Sequence, residues 1–355
     1  MNSLAFLDIY GYNLDMNKII QKIEELQVKI NAYKPFSKEI LKLWQEKLRI
    51  DWTYNSNAIE GNTLTYGETA FFLREGLTSE GKPLKDYLEA KNHAEAIDYL
   101  LDVIKGDREI TESFIKELHA LLLKDIHFTY AKGGNGQLIK KPLNAGKYKV
   151  LPNHVLTISG KIHKYVDPIH IQDEMESLIK WFNKEKVINI IEKACIFHYK
   201  FAAIHPFDDG NGRMARLLMN LILMRAGYPP CIIKNINRKK YLESLELIDV
   251  ENNYQQFVAF IYEELLSTQK KMLDVLEGKE GDLEDYPKKI NRNEREEKII
   301  NVIGEKPISI SQIIEKIPQI KRPTLKSDLN RLLKAKKIKR NGAGKGAVYY
   351  AAPHA

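Results

Sequence analysis

Apolar side chains recur at three- and four-residue spacing through most of residues 14–275, with polar residues between them. That period lines one face of an α-helix, so the pattern predicts a mainly helical body with helices over 16–32, 37–54, 84–104, 111–124, 171–184, 188–205, 213–226 and 238–276. One stretch interrupts the rhythm. Residues 131–160 carry Gly133, Gly134, Gly136, Gly146 and Gly160, and the run 147–158 holds Tyr148, Val150, Val155, Leu156 and Ile158. Glycines around an extended run predict a short hairpin or loop flap between helices.

A polar stretch, 277–293, reads as a linker and sets a domain boundary. Beyond it the pattern changes to short helices over 294–303, 309–317 and 323–335, with Ser309 as a cap and Pro323 suited to a first turn. Two short strands then flank the glycines Gly342, Gly344 and Gly346. This order resembles a winged helix-turn-helix. The resemblance implies that the third helix, with Arg322, Lys326, Asn330 and Arg331, enters a DNA major groove while the wing near Lys345 touches backbone. A module of this shape could equally bind protein, or nothing.

Charge sharpens the division. The 355 residues sum to +8, but residues 287–355 hold 17 Lys+Arg against 6 Asp+Glu, a net +11, which leaves −3 on residues 1–286. Any polyanion partner is therefore expected at the tail. Overall, 44% hydrophobic and 29% charged residues are ordinary for a soluble globular chain and exclude a disordered or collagenous one. Cys195 and Cys231 have no CxxC partner and read as reduced core thiols. No run of 18 apolar residues and no basic, apolar leader occurs, so the expectation is a cytoplasmic protein without a membrane span.

The richest chemistry lies in His205-Pro206-Phe207-Asp208-Asp209-Gly210-Asn211-Gly212-Arg213-Met214-Ala215-Arg216. A glycine-bearing turn that opens a helix presents unpaired N–H groups and a partial positive charge, which suits an anion. Arg213 and Arg216, three apart, project from one helix face and can clamp a polyphosphate. Asp209 offers a hard oxygen for Mg²⁺, and His205 can take a proton from a hydroxyl. Alternatives fail on residue identity: an EF-hand would need carboxylates where Gly210, Gly212 and Met219 stand, and no Walker A loop occurs. His198 and His205 lack a third zinc ligand at metal spacing, and His198 reads as a core histidine.

These twelve residues resemble the Fic-family signature, H-x-F-x-[D/E]-G-N-G-R-x-x-R, at every defined position. The resemblance implies a Fic-type helical core over 111–276 with a flap at about 145–160, preceded by an N-terminal helical region, 1–110. It implies transfer of AMP from ATP to a Ser, Thr or Tyr hydroxyl of a protein, with ATP and Mg²⁺ required. By motif position, His205 is the general base and Asp209 the Mg²⁺ ligand. Gly210, Asn211 and Gly212 form the anion hole, Met214 lies within the nucleotide-contacting turn, and Arg213 and Arg216 hold the outer phosphates.

The family resemblance extends to three further segments. Val155, Leu156 and Thr157 fall in a flap that registers the target by main-chain pairing, where Lys149 replaces the arginine often found. Tyr241 and Leu242 sit where relatives carry a tyrosine pair near adenine, although both could be core. Upstream, Ser56-Asn57-Ala58-Ile59-Glu60-Gly61 resembles the inhibitory-helix motif [S/T]-x-x-x-E-[G/N], which implies that Glu60 pairs with Arg216, with Ser56 beside it, in the inhibitory helix at about 50–61. Self-modification and a homodimer are further expectations. A Fic enzyme with another donor (UMP, phosphocholine or phosphate transfer) and a non-catalytic DNA-binding regulator remain as alternatives.

Overall fold

The computed structural model describes residues 14–106, 108–132, 137–156, 160, 162–278, 292–304, 307–317, 322–342 and 347–351. The chain divides into two units, 1–279 and 280–355. In the first, α1 (Leu14–Ala32), α2 (Lys38–Ile59), α3 (Tyr66–Glu75), α4 (Leu84–Ile104) and α5 (Glu112–Leu122) precede two small hairpins. After them come α6 (Ile171–Lys184), α7 (Ile190–Ile204), α8 (Asn211–Arg225), α9 (Arg238–Glu251) and α10 (Gln255–Leu276). The class is mainly α, as the spacing predicts.

The core is organised around α8. Nearly every residue from Asn211 to Leu223 is buried, Arg213 and Arg216 included. A helix covered on all sides belongs at the centre of a bundle. α7 packs along it, α2 and α4 pack against it, and α10 covers α7 and α1. Leu217, Leu218, Leu221 and Leu223 of α8 meet Phe197 and Phe201 of α7 and Phe257 of α10 in one apolar cluster. Cys195 and Cys231 are buried free thiols.

Three features depart from the spacing. The helix expected over 238–276 is two helices, because Asn252 adopts a left-handed conformation (φ 51) and Asn253 Oδ1 accepts the Gln255 N–H at 2.9 Å. The helix that the spacing ends at residue 54 runs to Ile59, into the segment of about 50–61 expected as the inhibitory helix, with Ser56, Asn57 and Ile59 buried there. In place of one flap there are two antiparallel hairpins, β1 (Phe128–Lys132) with β2 (Leu138–Pro142) and β3 (His154–Leu156) with β4 (Ile162–Lys164). Residues 147–153 are not strand: the Lys149 N–H donates to the Pro206 carbonyl at 2.9 Å, so this backbone is paired to the signature turn instead.

The second unit contains α11 (Arg292–Ile303), β5 (Ile308–Ser309), α12 (Ile310–Lys316), α13 (Arg322–Lys334), β6 (Ile338–Asn341) and β7 (Val348–Ala351). Its strands form an antiparallel sheet in the order β5-β7-β6. Ile299, Ile313, Leu325, Leu329, Leu332 and Tyr349 close a separate core. Ser309 and Gln312 form a capping box that starts α12. Most of the expected linker, the loop holding Gly344, Lys345 and Gly346, and Thr157 of the expected flap lie outside the described residues.

Candidate active site

The site is built on the turn between α7 and α8. α7 ends at His205, whose left-handed backbone (φ 51, ψ 58) is uncommon for a side-chain-bearing residue and reverses the chain sharply. Asn211 then staples the turn: its Nδ2 donates to the Phe207 carbonyl at 2.8 Å and its Oδ1 accepts the Phe207 N–H at 2.9 Å. Gly210, with φ 77, enters α8 in a conformation that favours glycine. The side chain of Asn211 is thus a brace, and the first-turn N–H groups of α8 remain available to an anion.

His119, on α5, supports this turn from below. Its ring stacks on Phe207 at 3.6 Å, its Nδ1 accepts the Gly146 N–H at 2.8 Å, and its Nε2–H donates to the Asp209 carbonyl at 3.0 Å. The Asp209 carboxylate in turn accepts from Thr129 Oγ1 at 2.9 Å and from the Gly210 N–H at 2.6 Å, with Arg213 Nη2 at 3.3 Å. Burial opposes ionisation of Asp209, but Arg213, Lys85 and these hydrogen bonds hold its pKa below the usual carboxylate value. Next to it, Asp208 pairs with Lys141 of β2 at 2.5 Å.

Arg213 is 2% exposed and pairs with Glu89 of α4 at 3.1 Å, with Asn57 Oδ1 at 3.4 Å. Arg216 is equally buried and also reaches the C-terminal end of α2. Its Nε donates to Ser56 Oγ at 3.0 Å, and its Nη2 donates both to the Ser56 carbonyl and to Glu60 Oε1, each at 2.7 Å. Glu60 caps α2 and Gly61 (φ 93) turns the chain away behind it. A methyl group added at Gly212 would collide with Glu60 Oε1. The Glu60 carboxylate therefore rests on the first turn of α8, where an anion would lie.

His205 is partly exposed at the edge of this surface, and its Nδ1 lies 3.3 Å from the Ala202 carbonyl. A carbonyl can only accept, so Nδ1 carries the proton and Nε2 presents a lone pair. Burial, followed by the charge of Lys149, lowers its pKa to about 3, which keeps the ring neutral at physiological pH. Lys149 is buried, bonds Asn153 Oδ1 at 2.5 Å, and has its own pKa lowered to about 8 by burial.

The remaining expected residues are more dispersed. Met214 is fully buried in the core. Tyr241 is 2% exposed, hydrogen-bonded to His198 Nε2 at 2.9 Å and packed near Phe257 and Phe260, so it reaches the site only across Arg216. Leu242 is partly exposed. Val155 and Leu156 lie in β3. His119, Thr129, Glu89 and Tyr165 are site residues that spacing did not reveal, since they come from elements 40 or more residues from the motif. A histidine on the apolar face of 111–124 is the one local signal.

Among the described residues no cluster of three or more His, Cys, Asp or Glu could hold a metal unaided. Mg²⁺ does not require one, because it commonly uses one or two carboxylates together with substrate phosphates. Asp209 fits that role: three of roughly four acceptor positions on its carboxylate are taken by Thr129, Gly210 and Arg213. No described helix is long and apolar enough to cross a membrane.

Residues 109–223 match the Fic/DOC family model. The chain is 31% identical over 248 residues to the protein adenylyltransferase fic-1 of Caenorhabditis elegans, covering 69% of this chain and 44% of that one, so it spans less than half of the relative's length. A Fic-domain-containing signalling protein of Bacteroides thetaiotaomicron, of known structure, is 34% identical with a TM-score of 0.65 over 72% of this chain and 97% of the other. A Fic family protein of Desulfovibrio desulfuricans shares the fold across 97% of this chain and 98% of its own, at 22% identity and a TM-score of 0.59. Signature, fold and relatives agree, and the chain belongs to the Fic/DOC family.

Proposed function

We propose that the chain is a protein adenylyltransferase that moves AMP from ATP to a Ser, Thr or Tyr hydroxyl and is restrained by its own Glu60. The observation that carries this reading is the seat of the Glu60 carboxylate, 2.7 Å from Arg216 and above Gly212, on the anion-binding end of α8. Relatives named protein adenylyltransferase supply the donor and the reaction class.

In this reading His205 Nε2 takes the proton of the acceptor hydroxyl. The hydroxyl oxygen bonds to the α-phosphorus as the bond to the β-phosphate oxygen breaks, and pyrophosphate leaves. The new imidazolium is costly beside Lys149, and the negative charge of bound phosphates would offset that cost. The N–H groups of Asn211 and Gly212 hold phosphate oxygens, that of Gly210 being taken by Asp209, and Arg213 and Arg216 hold the outer phosphates. Asp209 would hold Mg²⁺, which when bound neutralises phosphate charge. Glu60 occupies Arg216 and the first turn of α8, which keeps the outer phosphate out of register. β3 would pair with the target main chain.

Intact-mass measurement after incubation with ATP and Mg²⁺ tests this reading. A gain of one AMP in Glu60→Gly, little in wild type and none in His205→Ala is the expected pattern. Labelling in His205→Ala, or none in Glu60→Gly, would overturn it.

A second reading concerns the C-terminal unit, taken as a winged helix. The net +11 of residues 287–355 and the exposed Lys326 and Asn330 of α13 support contact with duplex DNA. Arg331 is less suited to it, being paired with Glu296 at 3.2 Å and with Asp328. Salt-dependent retardation of duplex DNA, weakened by Lys326→Ala, is the expected result.

A further inference from the structure

His205 is covered on one side by an aromatic ring that no part of the signature supplies. Tyr165 follows β4 directly, and its ring lies 3.7 Å from the His205 imidazole at an interplanar angle of 17°. Lys149 Nζ approaches the same tyrosine at 5.5 Å from the ring centroid. The tyrosine is anchored through its neighbour: His163 Nδ1 lies 3.2 Å from Asp249 of α9, and Asp249 accepts a hydrogen bond from Tyr199 of α7 at 2.8 Å. The chain that leaves the β3–β4 hairpin is thus tied to α9 and α7 on one side of Tyr165, while the tyrosine ring lies flat against the base.

Such a stack has a definite consequence for proton transfer. The imidazole is held in-plane by a single hydrogen bond from Nδ1 to the Ala202 carbonyl, which leaves rotation about that bond open. A parallel ring at van der Waals distance removes the rotation and fixes the direction in which the Nε2 lone pair points. We propose that Tyr165 is a positioning residue for His205, acting through its ring rather than its hydroxyl, so that the hairpin preceding it sets the aim of the base. This rests on the reading of His205 as general base, yet the stack itself can be judged without activity.

The experiment uses the full chain in the Glu60→Gly background, with Tyr165→Phe, Tyr165→Leu and Tyr165→Ala added singly. Rates of AMP incorporation are measured against ATP concentration, and ¹⁵N-labelled histidine spectra are recorded without nucleotide, the His205 signals being assigned by their loss in His205→Ala. Leu and Ala are expected to lower kcat by about tenfold while the KM for ATP stays within about twofold, since one aromatic stack is worth of the order of that factor. They should also shift the His205 ring signals and mix its tautomers, whereas Phe should keep both rate and spectrum. Unchanged His205 signals in Ala, or a Phe variant as impaired as Ala, would overturn the proposal. Absence of labelling in Glu60→Gly itself would sink adenylyl transfer, and the spectra would still decide whether the ring positions His205.

Discussion

Glu89 and Arg213 form a 3.1 Å ion pair in which both side chains are buried, and the second oxygen of Glu89 accepts Asn62 Nδ2 at 2.9 Å. Burial opposes the charge on Arg213, and Glu89 leads the groups that hold it in place, ahead of Asp209 and Glu60. Asn62 lies two residues past Glu60. One carboxylate on α4 therefore fixes both the first arginine of the signature and the segment that leaves the inhibitory helix. Removing one partner of a buried pair strands the other, so Glu89→Ala is expected to lose about 3 kcal/mol of stability, the low end of the range because Asp209 remains beside Arg213. Urea unfolding of the full chain measures it, and a loss under about 1 kcal/mol would contradict the assignment.

Ser56 gives Arg216 two of its hydrogen bonds, one through Oγ and one through the carbonyl. Ser56→Ala removes only the first. A hydrogen bond to a charged group is worth about 1.5 kcal/mol or more, so partial relief is expected, with AMP incorporation raised roughly tenfold and remaining below that of Glu60→Gly. Equal labelling of wild type and Ser56→Ala would show that the hydroxyl does not hold the restraint.

Gly212 tests the identity of the anion seat. Its missing Cβ would fall where the Glu60 carboxylate now rests. In the Glu60→Gly background, Gly212→Ala should place a methyl group in the space left for phosphate and lower incorporation by at least about tenfold, the equivalent of roughly 1.4 kcal/mol. Full activity in that double variant would mean phosphate binds elsewhere.

Three buried histidines and the partly exposed His205 predict the response to acid. Burial lowers the pKa of His119 to about 4 and of His198 and His205 to about 3, and holds His93 well below its ordinary value. Between those values and about 6.5 the unfolded chain binds protons that the folded chain refuses, so stability rises with pH. The penalty is absent above about 6.5 and grows as pH falls toward 4. Replacing His119 with Gln removes one such proton, and the slope of unfolding free energy between pH 5 and 6 should flatten by about 1.4 kcal/mol per pH unit. Denaturation at several pH values checks this, and an unchanged slope would show that His119 is charged in the fold.

How much of this was legible in the chain differs between the two ends of the site. The residues from His205 to Arg216 are contiguous, and a glycine turn entering a helix has the same local physics wherever it occurs, so its anion-binding character could be read directly. The helical class was equally open to inspection, because the apolar period depends on neighbours three and four positions away. The end of α2 was open only through the inhibitory-helix resemblance, since the apolar spacing stops at residue 54; there Arg216 and Arg213, 160 and 156 residues later, engage Ser56 and Asn57.

What the sequence alone determined was the chemistry of the turn, the helical class and the split of charge between body and tail. The tertiary structure alone decided that Glu89 faces Arg213, that His119 braces the signature, that Tyr165 lies against His205, and that Tyr241 is enclosed in the core. The reason is physical. Propensity and periodicity act over one or two turns, whereas burial of a charged or aromatic side chain depends on partners that only packing brings within a few ångströms.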